Sequence, residues 1–399
     1  MDEKQQPVAG TPGEVLLAFT KLGLTSFGGP IAHLGYFHDE FVKRRGWISD
    51  ARYAELVALC QFLPGPASSQ VGFALGLMRA GPLGAAAAWI GFTLPSAILL
   101  VLFGYAAASL DGPLAQGALH GLKLVAVAIV AQAVFGMAKS LTPDRERVLI
   151  AVLAVFLVVL VSGAIGQVGA ILLGGVLGLV LCRDGGTVPV DTGAFPVSRR
   201  AGVAALAIFV LLLIGLPVLS GMGQWLALFD GFYRAGALVF GGGHVVLPLL
   251  EAETIGRGLV SPDGFLAGYG AAQAVPGPLF TFAAYLGAVS TAQPNGIAGA
   301  SIALVAIFLP GLLLVVGILP FWNQFRRWPH MQAAMRGANA AVVGLLGAAL
   351  YNPVFTSAVL TQLDFALALA GFAALVAWKV PSWTVVLALA LVGMAVSLF

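Results

Sequence analysis

Phe27-Gly28-Gly29-Pro30 and Gln61-Phe62-Leu63-Pro64-Gly65-Pro66 return later in the chain as Phe240-Gly241-Gly242-Gly243 and Gln273-Ala274-Val275-Pro276-Gly277-Pro278. The offset is 213 residues for the first pair and 212 for the second, and Leu94-Pro95 then matches Leu309-Pro310 at 215. A duplicated apolar half with Gly/Pro interruptions in register is the sequence pattern of a secondary transporter whose site lies at the interruptions.

Composition places both halves in a membrane. Hydrophobic residues make up 59% and charged residues 9%, against about 25% charged in a soluble domain. Residues 148–162 and 201–219 carry no charge at all, and a helical span takes roughly 17–25 apolar residues. The net charge is only +3, so its placement matters more than its size. Cys60 and Cys182 have no metal-ligand or disulfide spacing and read as small apolar fillers. The start of the chain lacks a basic stretch followed by an apolar one, so no cleaved signal peptide is expected.

The expected organisation is a polar N-terminal tail (1–12), a first membrane repeat (13–182), a linker with one unpaired transmembrane helix (183–225), and a second repeat (226–399). One unpaired crossing turns the second repeat upside down. The charges agree, because loops on the cytoplasmic side collect Lys and Arg. The first repeat is basic at Lys43-Arg44-Arg45 and Arg52, and again at Lys139, Arg145 and Arg147. The equivalent stretches of the second, 255–263 and 350–356, hold Arg257 alone and nothing. Conversely Arg326, Arg327 and Arg336 correspond to a stretch around Asp111 without Lys or Arg.

The fold class predicted is an all-α polytopic membrane protein of two inverted-topology repeats. Each opens with broken, re-entrant hairpins, at 13–45 and 50–79, then at 226–256 and 262–291. Spans follow at 83–109, 114–138, 146–162 and 167–182, then 201–219, then 296–320, 331–350, 364–379 and 382–398. The N-terminus lies inside and the C-terminus outside; hydropathy leaves tilted full spans as the alternative to re-entrant hairpins.

Proline costs nothing in the first turn of a helix, where its missing N–H would have no partner. Pro30, Pro66 and Pro278 therefore read as starts of half-helices after turns at Gly28-Gly29, Gly65 and Gly277. Such a start points free N–H groups and about half a positive charge at whatever sits there. Irregular backbone survives at that depth only where it is buried or lines a cavity. Four starts, two per repeat, predict a pseudo-twofold anion site near the midplane. The plain alternative is that Gly and Pro merely kink spans.

Other candidates follow from position. Lys21 and Arg234 each lie six residues before the motif Phe, where a buried cation is costly and functional unless it snorkels to the interface. Glu40 and Glu253 each lie thirteen residues after it. Arg44 and Arg257 four residues on make a structural ion pair the first reading and proton coupling the second. Lys123 sits inside a span, three residues after His120, and the matching positions hold Arg336 and Asn339. Ser68, Ser69 and Gln70 follow Pro66, and Thr281 follows Pro278; these donors suit an oxyanion or their own backbone. Gln61 and Gln273 approach the two PGP turns. His244 follows the second glycine motif and titrates near neutral pH unless it is packed away. The five histidines show no metal-ligand pattern. Trp47, Trp322 and Trp328 read as interface anchors.

The chain has no phosphate-binding loop of the G-x-x-x-x-G-K-[ST] type, no soluble segment for an ATPase, and no catalytic triad or H-E-x-x-H, so an enzyme or primary pump is not expected. No cofactor and no nucleic acid are implied.

FGGP with Arg45-Gly46-Trp47-Ile48-Ser49 and QFLPGP, followed by FGGG and QAVPGP, resembles the chromate ion transporter family in its long, two-domain form. The resemblance covers nearly the whole chain outside the tail and linker. Arg257-Gly258-Leu259-Val260-Ser261 departs from it by lacking the Trp. What it implies is proton-motive-force-driven efflux of chromate across the bacterial inner membrane, conferring resistance, with sulfate as the isosteric competitor. The partners implied are the anion, the bilayer and, as a further option, a second copy of the chain. A passive anion channel and a non-transporting membrane sensor are the competing classes.

Overall fold

A computed structural model describes residues 10–109, 112–161, 163–182, 195, 197–240, 243–325 and 328–398. The first residues of the tail, most of the 183–200 linker, Asp111, Gly241, Gly242, Arg326 and Arg327 lie outside the described residues. All regular structure among the described residues is helical.

The first half comprises α1 (Pro12–Thr25), α2 (Gly29–Phe37, continuing as a π-turn over His38–Arg44), α3 (Asp50–Phe62), α4 (Ala67–Ser109), α5 (Pro113–Leu141), α6 (Arg145–Leu160) and α7 (Ala164–Leu181). After α8 (Arg199–Leu219) the second half comprises α9 (Gln224–Ala237), α10 (Val246–Thr254), α11 (Pro262–Ala272), α12 (Phe282–Ala288), α13 (Gly296–Ile318), the short α14 (Trp322–Phe325), α15 (Pro329–Ala349), the single turn α16 (Thr356–Ala358), α17 (Gln362–Val376) and α18 (Ser382–Val396).

Local sequence explains the ends. Thr11 caps α1, accepting from the Glu14 amide, and Pro12 opens its first turn. Asp144 caps α6 through the Arg147 amide at 2.9 Å. Thr361 and Asp364 form a reciprocal capping box on α17. Helix α4 is two helices folded against each other: a Cβ on Gly76 would press on the Gly84 carbonyl and lie 2.8 Å from Ala88 Cβ. Ala80 and Gly81 leave helical geometry before Pro82, at the end of the hairpin predicted for 50–79.

Among the described residues, five helical stretches are long and apolar enough to cross a membrane: Ala67–Ser109, Pro113–Leu141, Arg199–Met222, Gly296–Phe321 and Pro329–Ala358. Two further predicted spans are short: α17 and α18 have 15 residues each, about 22 Å at 1.5 Å per residue. They cover only part of a ~30 Å hydrocarbon core. Helix α8 is apolar and mostly exposed; it buries Gly202, Ala205 and Leu216 and leans on α9 and α13. Leu211, Ile214 and Val218 on it are exposed, as a lipid-facing surface requires. The chain is a multi-pass membrane protein.

The halves interlock. Helix α7 packs along α15 of the other half, and α18 along α5. Close approach at glycine matches position for position. Gly178 and Gly174 meet Ala333 and Gly337, while Gly393 and Leu389 meet Gly117 and Gly121. Small residues permit such backbone contact where lipid supplies no hydrophobic drive between helices. Likewise α1 packs on α4 and α9 on α13.

Candidate functional site: a crossing of four helix breaks

Each half carries two interruptions, and the chain brings all four together. The Gly65 amide donates to the Val239 carbonyl at 2.7 Å, and the Gly277 amide donates to the Ser26 carbonyl at 2.9 Å. Val239 lies 213 residues after Ser26, and Gly277 lies 212 after Gly65. Each PGP turn is therefore tied to the other half's FGG break. An amide in apolar surroundings must find such a partner. The two FGG breaks also touch: a Cβ on Gly243 would lie 3.3 Å from Pro30 Cγ and 4.0 Å from Leu279. The starts of α2, α10 and the turn leading into α12 thus share one centre.

Gly65 and Gly277 have φ of +120° and +101°, where a side chain is strained. Space is closed as well. A Cβ on Gly65 would lie 2.9 Å from Gln70 Nε2 and 3.1 Å from Gly311 Cα. A Cβ on Gly277 would lie 2.8 Å from Ser96 Oγ and 3.2 Å from the Phe92 carbonyl. Ser96 and Gly311 each directly follow the Leu-Pro pair noted in the sequence, so the mid-helix prolines of α4 and α13 mark where each long helix presses on the opposite break.

The centre is polar without being charged. Gln70 is fully buried and its Nε2 donates to the Pro64 and Gly311 carbonyls, at 2.9 and 3.0 Å. His33 Nδ1 lies 3.3 Å from Ser68 Oγ, and its ring stands edge-on to Phe92 at 5.2 Å. Ser26 Oγ, Ser69 Oγ, Thr93 Oγ1 and Gln273 Nε2 are buried donors with no hydrogen-bond partner among the described residues. A buried donor left unpaired costs about 1–3 kcal/mol. Thr281 takes the bland option and donates to the Pro278 carbonyl at 2.8 Å. Helix N-termini and neutral donors suit an oxyanion, which accepts and does not donate.

The cations expected at the breaks are elsewhere. Lys21 is exposed on α1. Arg234 is held in a balanced four-charge cluster, 2.7 Å from Asp230 and 3.3 Å from Glu253, with Arg257 at 3.0 Å from Glu253. Equivalent sequence positions thus have different surroundings, because Asp230 has Leu17 as its counterpart. Glu40 is paired with Arg44 and with Arg45. Both carboxylates therefore sit in ion pairs, the first of the two readings of their spacing. His244 Nδ1 lies 2.8 Å from the Tyr269 hydroxyl. Gln61 is exposed, unlike Gln273. Phe27 packs near Trp383 at 6.4 Å and Phe240 is half-buried. Gly28 and Gly29 form the first break as expected, Pro276 is buried, and Gly241 and Gly242 lie outside the described residues. Lys123 pairs with Asp263 across the halves at 2.9 Å. His33, Thr93 and Ser96 belong to the centre and were not singled out from sequence; only the Leu-Pro repeat pointed near them.

Among the described residues no group of His, Cys, Asp and Glu could hold a metal ion. No solved structure matches the chain. The chromate transport protein of Pseudomonas aeruginosa is 28% identical over 92% of this chain and 87% of its own length. The probable chromate transport protein of Synechococcus elongatus is 30% identical over 83% and 81%, and the chromate transport protein of Cupriavidus metallidurans is 27% identical over 84% and 80%. The family model described as "Chromate transporter" matches residues 13–179 and again 226–394, once on each side of α8. A chain matched twice over nearly all of its length, with the matched motifs meeting at one centre, belongs to the chromate transporter family.

Proposed function

We propose that the protein is a secondary transporter that exports chromate across the bacterial inner membrane. Two inverted repeats, 13–182 and 226–399, joined by α8, alternate access around the crossing of the four breaks. Sulfate, the isosteric dianion, competes. The observation that carries this reading is the convergence of four helix breaks, from two halves that each match the family, on a buried centre rich in unpaired donors. Such a centre offers an oxyanion several neutral donors without a fixed cation to trap it.

Direction follows from charge. Outward movement of a dianion down a negative-inside potential releases about 2.3 kcal/mol per charge per 100 mV. The proton-motive force thus drives export even without a dedicated protonatable group, and antiport of a proton would add to it.

The test is chromate uptake into inside-out vesicles containing the full chain, with and without sulfate and a protonophore. Saturable uptake that sulfate inhibits and the protonophore collapses is the expected outcome. No uptake above empty vesicles would remove the substrate assignment. The second reading, a passive anion channel, fits the same broken helices. It predicts no stimulation by chromate on the opposite side, whereas a carrier shows such counterflow.

A further inference from the structure

A dianion leaving the uncharged centre must still cross to water, and a large open cavity lies on such a route. It encloses about 860 Å³ between the end of α4, the start of α5, α11, α12 and the end of α18. In the proposed topology this is the outer face. Helix α5 gives it Gln116, His120 and Lys123, spaced by four and three residues and hence on one helix face.

The deepest of the three decides the chemistry. The Lys123 side chain is 12% exposed, and its ammonium lies 2.9 Å from an Asp263 carboxylate that is 72% exposed. The cation is largely dehydrated while its counter-ion remains in water at the rim. An incoming anion can therefore displace the carboxylate at little cost, since Asp263 regains full hydration. His120 is held by Asp364 at 2.7 Å. The hydroxyls of Tyr285 and Ser397 on the same wall already donate to backbone carbonyls. The backbone beside Lys123 leads toward the centre. The Leu122 carbonyl abuts Gly270, and Gln273, with its unpaired Nε2, is three residues further along. The second half has no counterpart. Arg336, at the position matching His120, donates to the Cys182 carbonyl at 2.6 and 3.0 Å, and Asn339 matches Lys123.

We propose that Lys123 forms a second oxyanion site, in a vestibule between the four breaks and water, where a tetrahedral dianion replaces the Asp263 carboxylate; this rests on the anion-transport reading above.

The experiment measures the half-saturating external chromate concentration for counterflow by the full chain in right-side-out vesicles loaded with chromate, which expose the outer face, for wild type and four variants. Lys123→Gln is expected to raise it about tenfold, the loss of one charge-assisted hydrogen bond. Lys123→Arg stays near wild type. Asp263→Asn lowers it at least about threefold, because the competing carboxylate is gone. The exchange Lys123→Asp with Asp263→Lys keeps an ion pair but moves the cation to the rim, and does not restore the wild-type value. Restoration by that exchange, or a Lys123→Gln value within twofold of wild type, overturns the site. Should Lys123→Gln fail to fold, Asp263→Asn decides: an unchanged value overturns the site. A wild type with no saturable chromate transport sinks the functional reading, and the vestibule site with it.

Discussion

Replacing Gly277 with Ala tests the reciprocal tie between the halves. Two costs add. At φ +101° a Cβ strains the backbone by about 1–2 kcal/mol. It would also sit 2.8 Å from Ser96 Oγ and 3.2 Å from the Phe92 carbonyl. The hydroxyl can rotate away, but the carbonyl belongs to the frame of α4, and such overpacking costs about 1–3 kcal/mol. The sum is ~2–5 kcal/mol, and it falls where the Gly277 amide reaches Ser26. Gly29 is the control. Its φ of +78° carries the same class of strain, yet nothing lies within 4 Å of its Cβ position, so Gly29→Ala should cost only ~1–2 kcal/mol. The assay is thermal unfolding of the purified protein in detergent alongside chromate resistance of cells producing it. Gly277→Ala should lower the midpoint by about 2–6 °C, from an unfolding entropy of roughly 2.1 cal/mol/K per residue, and abolish resistance. Gly65→Ala should do likewise. Equal damage from Gly29→Ala and Gly277→Ala, or none from either PGP glycine, would refute the claim that the crossing is closed and shared.

Three further outcomes are expected. Arg234→Ala leaves Asp230 and Glu253, both nearly fully buried, with Arg257 alone and should destabilise by about 3 kcal/mol, whereas Lys21→Ala on the exposed face of α1 should stay within ~0.5 kcal/mol; detergent unfolding curves compare the two. Gln70→Leu strips the Pro64 and Gly311 carbonyls of their side-chain donor and should cost ~1–3 kcal/mol, read as loss of folded protein by gel filtration; an unchanged profile contradicts the bridge from Gln70 to α13. Gly121→Ala and Gly337→Ala press on the Leu389 and Gly174 carbonyls at matched positions, so their midpoints should fall by similar amounts; a large drop in one alone would break the equivalence of the two interlocks.

Most of the helical path was legible because the residues that stop helices are also the residues that repeat. Gly28-Gly29, Gly65-Pro66 and Gly277-Pro278 mark breaks whatever packs around them, and Gly81-Pro82 divides α4 where a hairpin end was expected. Charged positions were less legible. Lys21 and Arg234 share a register, but a cation's role depends on what stands one helix turn away, and Asp230 on α9 has only Leu17 as counterpart on α1. The 15-residue lengths of α17 and α18 also escaped the pattern, since apolar residues continue past both helix ends. Contacts between halves, such as His120 with Asp364 and Lys123 with Asp263, join residues more than a hundred positions apart. No local period encodes them.

On the carrier reading proposed above, the places where the pseudo-symmetry holds and where it fails separate a frame from moving parts. The interlock is matched in both halves, α7 on α15 and α18 on α5, down to the glycines at the contacts. The hairpins match only in part. Val246 and Leu250 on α10 are buried, and so are their counterparts His33 and Phe37 on α2, but Leu249 is 3% exposed where its counterpart Tyr36 is 42% exposed. Helix α11 packs on α5, yet no comparable packing of α3 on α15 is present among the described residues. Two hairpins of like sequence in unlike surroundings are what a carrier held in one of its two states would carry, since its other state exchanges the surroundings. The exchange needs pivots that survive it. The paired bonds Gly65 to Val239 and Gly277 to Ser26 are suited to that, because each joins a hairpin of one half to a hairpin of the other and both halves carry the same bond. A cysteine pair at Pro30 and Gly243, where a Cβ on Gly243 would lie 3.3 Å from Pro30 Cγ, should then cross-link in the presence and absence of chromate, while a pair joining α3 to α15 should cross-link only in one condition. Condition-independent cross-linking of α3 to α15 would show the hairpins to be fixed and the asymmetry to be structural.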